Sequence, residues 1–216
     1  MTLDLTGVDL LTESVSTHRL LLRPFRADDA EAVCQACQDE DIQRWVVAVP
    51  SPYTLDDARH FVSELAWEER RTGTGLQFAV AERGSGRVAA SVGLMRLRAS
   101  IGAEIGYWVA PWARGHGYAA EATDALAGWA FRHGLHRVVL LIAPENTGSC
   151  RTAERAGFRR EGRLREAEVA RQGERRDFVL YARLATDPGL REPAGRHDDP
   201  KTGHQRHARG TETRRK

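Results

Sequence analysis

Lysine is almost missing from this chain. Its 32 basic residues are 30 arginines and two lysines, Lys201 and Lys216, a bias that reads as compositional habit rather than function. Cysteine is scarce as well. Cys34, Cys37 and Cys150 cannot all pair within one chain, and Cys34-x-x-Cys37 has no second Cys or His pair to complete a zinc set. They read as small core-facing thiols, and no metal is expected. Long apolar runs are absent. The longest, Val138–Ala143, has six residues, whereas a membrane span needs about 18 or more, so an integral helical membrane protein is excluded. The first 16 residues hold no Lys or Arg, so a secretory n-region is missing and the cytoplasm is the expected compartment. A large charge excess is missing too. The formal net charge is +2, which argues against a nucleic-acid surface.

What remains is an ordinary globular composition, 41% hydrophobic and 29% charged over 216 residues, enough for one domain with a real core. Composition changes near residue 186. Thr186–Lys216 has only Leu190, Ala194 and Ala208 as aliphatics, with eight Lys or Arg against five Asp or Glu. Such a stretch cannot offset its ordering entropy, so a folded domain over 1–185 and a disordered Arg-rich tail over 186–216 are expected.

Periodicity places strands at Arg19–Phe25, Leu76–Glu82, Arg87–Leu97, Ile101–Val109, Arg137–Ala143, Phe158–Glu166 and Phe178–Leu184. Helices fall at Asp28–Gln38, Leu55–Thr72, Gly117–His133 and Thr147–Ala156. The run Arg137–Ala143 reads as a strand buried on both faces. The class is α/β (α+β), with one mixed sheet.

The segment Glu104–Ala119 carries the chemistry. A strand ends at Val109, Pro111 cannot continue a central strand, and Arg114-Gly-His-Gly-Tyr-Ala119 leads into a helix. Two glycines let the backbone turn sharply and a ligand approach. The helix start exposes unpaired N–H groups with partial positive charge. A pyrophosphate-bearing ligand and a plain glycine turn both fit this pattern.

Val109-Ala-Pro-x-x-Arg114-x-x-Gly117-x-Ala119 resembles the Arg/Gln-x-x-Gly-x-Gly/Ala signature of the GCN5-related N-acetyltransferases (GNAT). Asn146-x-x-Ser149-x-x-x-x-Glu154-x-x-Gly157-Phe158 is similar to the second motif of that family in its RimJ/RimL-like branch. Thr17-x-Arg19-Leu20-x-Leu22-Arg23-Pro24 and Glu104-Ile-Gly-Tyr-Trp are similar to the same branch. The resemblance implies a central mixed sheet with a splayed parallel strand pair and helices on both faces. It implies acetyl-CoA as acyl donor, with pantetheine beside Tyr107, Trp108 and Val109 and the pyrophosphate over Arg114, Gly115, His116, Gly117, Tyr118 and Ala119. It further implies direct attack of a primary amine on the thioester, the amine being a protein N-terminus or a small molecule. A longer acyl donor such as succinyl-CoA, or a coenzyme A sensor without catalysis, stays open.

For site residues the resemblance implies three roles. Glu104 is the candidate base, against a simple ion pair or rim carboxylate. The Val109 N–H is the oxyanion donor. Ser149 stands in for an acid tyrosine that many relatives place where this chain has Ala153, against a hydroxyl that bonds its own backbone. Asn146 reads as helix N-cap and pantetheine contact together. Glu121 complements its helix dipole, Glu154 ties its helix down, His116 contributes backbone, and Cys150 is structural. Acceptor recognition is expected from Trp45, Pro50, Pro52 and Tyr53, from the turn at Arg171–Asp177, and from Asp28, Asp29 or Glu40 as attractors of a cationic amine. A monomer or homodimer is expected.

Overall fold

Aliphatic and β-branched runs separated by glycine and proline turns form a single sheet. The computed structural model describes residues 6–98, 102–171 and 173–187. Among these, the strands are β1 (Val15–Ser16), β2 (Leu20–Arg23), β3 (Leu76–Glu82), β4 (Val88–Arg98), β5 (Gly102–Val109), β6 (Arg137–Ile142), β7 (Arg159–Val169) and β8 (Arg175–Leu184). They lie in the order β1-β2-β3-β4-β5-β6-β8-β7. Every neighbouring pair is antiparallel except β5 with β6.

The helices are α1 (Ala30–Cys37), α2 (Glu40–Trp45), α3 (Leu55–His60), α4 (Ala66–Thr72), α5 (Tyr118–Arg132) and α6 (Thr147–Arg155). They make two layers. One core packs Leu126, Trp129 and Ala130 of α5 and Ala153 of α6 against Val92, Ile105, Val138 and Leu140 of the sheet. The other packs Val33, Ile42, Ala58, Val62 and Ala66 against Ala79, Ala89 and Trp108 on the opposite face. A buried ion pair pins the second layer: Arg23 grips Asp29 with two bonds of 2.7 and 2.8 Å. Cys37 lies in that layer, where burial pushes its thiol up to about 12. Core-facing is thus the right reading of that residue.

Several expectations need correction. The helix expected over 55–72 is continuous, but Phe61–Leu65 is a π-helical turn that widens it between α3 and α4. β6 is not buried on both faces. Val138, Leu140 and Ile142 are buried, while Val139 and Leu141 are half-buried, because α5 and α6 cover one face and the other is left partly open. The helix α2 and the strand β1 had no counterpart in the periodicity. The last two strands reach further than expected, forming a long hairpin. The start of the strand expected from Ile101, and the tail beyond Asp187, lie outside the described residues.

Candidate active site

The centre of the sheet is left open. The parallel strands β5 and β6 pair only at Ala103↔Val138 and Glu104↔Val139, then part. On its other side β5 stays paired to β4 as far as Val109. The Ala110 N–H donates to the Ala89 carbonyl at 2.9 Å. Antiparallel alternation therefore turns the N–H and C=O of Tyr107 and Val109 away from β4, toward the gap. A strand edge opened inside a sheet needs an external partner for its backbone groups.

The loop Arg114–Tyr118 closes one end of this gap. Gly115 and Gly117 have φ of 81° and 77°, values that favour glycine, and Gly117 is the N-cap of α5. No heavy atom lies within 4 Å of where a Cβ on Gly115 would stand. The loop is held from the turn between β1 and β2. Arg19 donates to the His116 carbonyl at 2.9 Å and to the Glu121 carboxylate at 2.7 Å, which also accepts from Thr17 at 2.5 Å. Burial raises the Glu121 carboxyl, but these donors outweigh it and leave it below its ordinary range. Glu121 is thus a tie between the β1–β2 turn and α5, not only a complement to the helix dipole. The His116 ring folds back on the Arg114 carbonyl (3.0 Å) and stacks on Tyr118.

Helix α6 forms the facing wall. Asn146 caps it by accepting from the Ser149 N–H at 3.1 Å, as its sequence position suggested. Tyr107 reaches across from β5 and donates its hydroxyl to the Ser149 carbonyl at 3.3 Å. Burial pushes this phenol up, opposed by its bonds to Ser149 and Thr152. Ser149 is half-buried, and its side chain faces the Tyr107 phenol rather than bonding its own backbone. Ala153 is wholly buried, and Glu154 accepts from the Tyr181 hydroxyl at 3.3 Å, tying the helix to β8.

These elements enclose a cleft of about 600 Å³ lined by Tyr107, Trp108, Val109, Arg114, Gly115, Gly117, Tyr118, Ala119, Asn146 and Ser149. Of the sequence-chosen site residues, only His116 and Glu104 are outside this lining. Glu104 stands on the same β5 face as Trp108, deeper along the strand. Its carboxylate pairs with Arg96 at 2.9 Å, and burial raises it above the ordinary carboxylate range while Arg96 opposes the shift.

The acceptor-side expectations are only half met. Trp45 and Val46 line the cleft, but Tyr53 is buried in the helical core and Pro50 and Pro52 face solvent. Asp29 is committed to Arg23, so it attracts no amine. The lining carboxylates are Asp41, one residue beyond Glu40, and Glu145. α2 was missed because six residues are too few to show a period, yet Asp39 is its N-cap, accepting from the Ile42 N–H at 3.0 Å. An Asp followed by Glu-Asp-Ile is the signal that marks this start. Arg114 departs most from expectation. Its guanidinium pairs with Asp39 at 2.5 Å and Asp41 at 3.5 Å, tying the loop to α2. The turn after β7, expected at the cleft, is outside its lining and meets α2 and the loop that follows it. Arg171 donates to the Val49 carbonyl and Arg176 to the Arg44 carbonyl.

An opened parallel pair, a glycine loop at a helix start and a capped helix opposite are the parts that a pantetheine-diphosphate chain needs. A family model described as an acetyltransferase (GNAT) domain matches residues 19–159. The chain belongs to the GNAT acetyltransferase family. The acetyltransferase is 28% identical to the N-acetyltransferase p20 of Bacillus licheniformis over 80% of this chain and 96% of that protein. It is 26% identical, over 81% and 96%, to YdaF of Bacillus subtilis (strain 168), provisionally named a ribosomal N-acetyltransferase. Mycobacterium smegmatis RimJ in complex with CoA-disulfide superposes with a TM-score of 0.71 at 25% identity, covering 82% of this chain and 89% of that one. It is therefore an acetyl-CoA-dependent N-acetyltransferase. The cleft fits that donor. The free backbone edge at Tyr107–Val109 and the open face of Gly115 at the start of α5 are compatible with such a chain.

Proposed function

We propose that the enzyme acetylates the α-amine of a protein or peptide N-terminus, with Val109, Ser149 and Glu104 serving the transfer. The observation that carries this reading is the free backbone edge at Tyr107 and Val109 opposite the parting β6. Acetyl-CoA supplies a thioester whose carbonyl carbon the amine attacks directly, forming the C–N bond as the C–S bond breaks. The Val109 N–H, already aimed into the gap, donates to the oxygen on which charge develops. The Ser149 hydroxyl, beside the Tyr107 phenol, donates a hydrogen bond to the departing thiolate, which takes its proton from solvent. The Glu104 carboxylate takes the ammonium proton through water, since it stands below the cleft lining. Its raised affinity for protons suits a base working near neutral pH.

The acceptor reading rests on the uncovered half of the sheet. Register puts Val139, Leu141, Phe178, Leu180 and Leu164 on the face that Glu104 shares, and each is half-buried or exposed. Such an open trough suits an extended peptide with an apolar residue near its amine. The ribosomal name of YdaF points the same way. The compartment would be the cytoplasm, and the folded unit would end near residue 185.

Thiol release from acetyl-CoA, scanned over N-terminal peptides and small amines, tests this reading. Peptides with an apolar residue near the amine should react fastest. Turnover of small polyamines or aminoglycosides alone would overturn the acceptor assignment. No melting shift with coenzyme A, against ATP and NAD as controls, would overturn the donor site.

A further inference from the structure

Three arginines line the cleft: Arg114, Arg151 and Arg155. Arg114 is neutralised by Asp39 and Asp41. Arg151 and Arg155 are both exposed, and neither side chain has an ion-pair or hydrogen-bond partner among the described residues. They stand four residues apart on α6, hence one above the other on one face. Ala153 faces the core, and the one carboxylate on the helix, Glu154, is turned to Tyr181. Like charges at this spacing repel and destabilise a helix, so the pair is a liability unless a dianion sits between them. A dipole role would account for Arg155, in the last turn. It does not account for Arg151, nor for both lining the cleft.

Resting on the donor reading above, we propose that Arg151 and Arg155 form a second anion subsite, for the 3′-phosphate on the ribose of coenzyme A. The diphosphate of the donor is matched by N–H groups of the Gly115–Ala119 bend, which leaves the phosphomonoester as the group still needing cations. A phosphomonoester is close to a dianion at neutral pH, and the planar forks of two arginines match its oxygens with charge-assisted bonds. The two sites divide the donor. The loop reads the diphosphate common to many nucleotides, and α6 reads the phosphate that distinguishes coenzyme A from its dephospho form.

The test is equilibrium binding by calorimetry, with coenzyme A and 3′-dephospho-coenzyme A titrated into the full chain and into the Arg151→Gln/Arg155→Gln double variant. The wild type should bind coenzyme A about tenfold or more tightly than the dephospho form, the scale of a charged hydrogen bond. The double variant should lose that preference while keeping its affinity for the dephospho form. Equal affinities in the wild type, or a preference that survives in the double variant, overturn the subsite but leave the donor cleft standing. Binding of neither ligand by the wild type overturns the donor reading and the subsite with it. An unchanged denaturation midpoint verifies that the variant is folded; Arg151→Lys/Arg155→Lys, which keeps both charges, should retain part of the preference.

Discussion

Replacing Val109 by proline removes one N–H group, and the ring keeps most of the apolar volume that the half-buried valine packs against both cores. Within a sheet this change normally breaks a ladder bond. Here the β4 ladder does not use the Val109 amide, because Ala110 bonds to Ala89 and alternation points Val109 the other way. Proline at a strand end keeps an extended backbone, and the following Pro111 already ends the strand. Stability should therefore fall by no more than about 1 kcal/mol, an ordinary single-site change. Loss of one oxyanion donor costs ~10²–10³ in kcat, about 2.7–4 kcal/mol. The measurement is kcat by thiol release at saturating acetyl-CoA, with the denaturation midpoint taken on the same variant. Trp108→Pro is the control, since its amide faces Ser91 in the ladder and its loss should destabilise several times more. A kcat for Val109→Pro within about threefold of wild type would remove this amide from the mechanism. A stability loss equal to that of Trp108→Pro would refute the geometry itself.

Glu104→Gln should lower kcat by ~10²-fold or more, the low end for a general base; an unchanged rate removes Glu104 from the reaction. Because Arg96 opposes the burial that raises Glu104, Arg96→Leu should move the acidic limb of the pH–rate profile to higher pH, and a limb that stays put would assign it to another group. Asp29→Ala leaves Arg23 buried without a counter-ion and should cost about 3–5 kcal/mol, roughly 6–20 °C in Tm for a domain of this size; thermal melts check it. The Glu121 carboxyl is lowered on folding, so its stabilisation is complete above its unfolded value and is lost as pH falls through the folded one. Glu121→Gln should accordingly flatten the stability slope below about pH 4.5, read by denaturation at stepped pH. Removing residues 188–216 should leave the denaturation midpoint unchanged, and an insoluble product would contradict the domain boundary expected near 185.

The amino-acid sequence by itself determined the local signals. Gly115 and Gly117 take positive φ where the loop needed them, Asn146 caps its helix, and β3, β4, β5, α5 and β6 fall within a residue or so of their expected limits. Each depends on neighbours a few positions apart, which is the range over which propensity and period act. Tertiary structure alone decided the rest. Arg114 looked like a free cation for phosphate until Asp39, far away in sequence, took its charge. Asp29 looked like an attractor of amines until Arg23 closed on it. The run Arg137–Ala143 looked buried on both faces because an apolar string does not say how many layers cover it; α5 and α6 cover one face, and the other stays partly open. Partners for charges and covers for faces are set by which distant segments meet in space, and no window along the chain contains both of them.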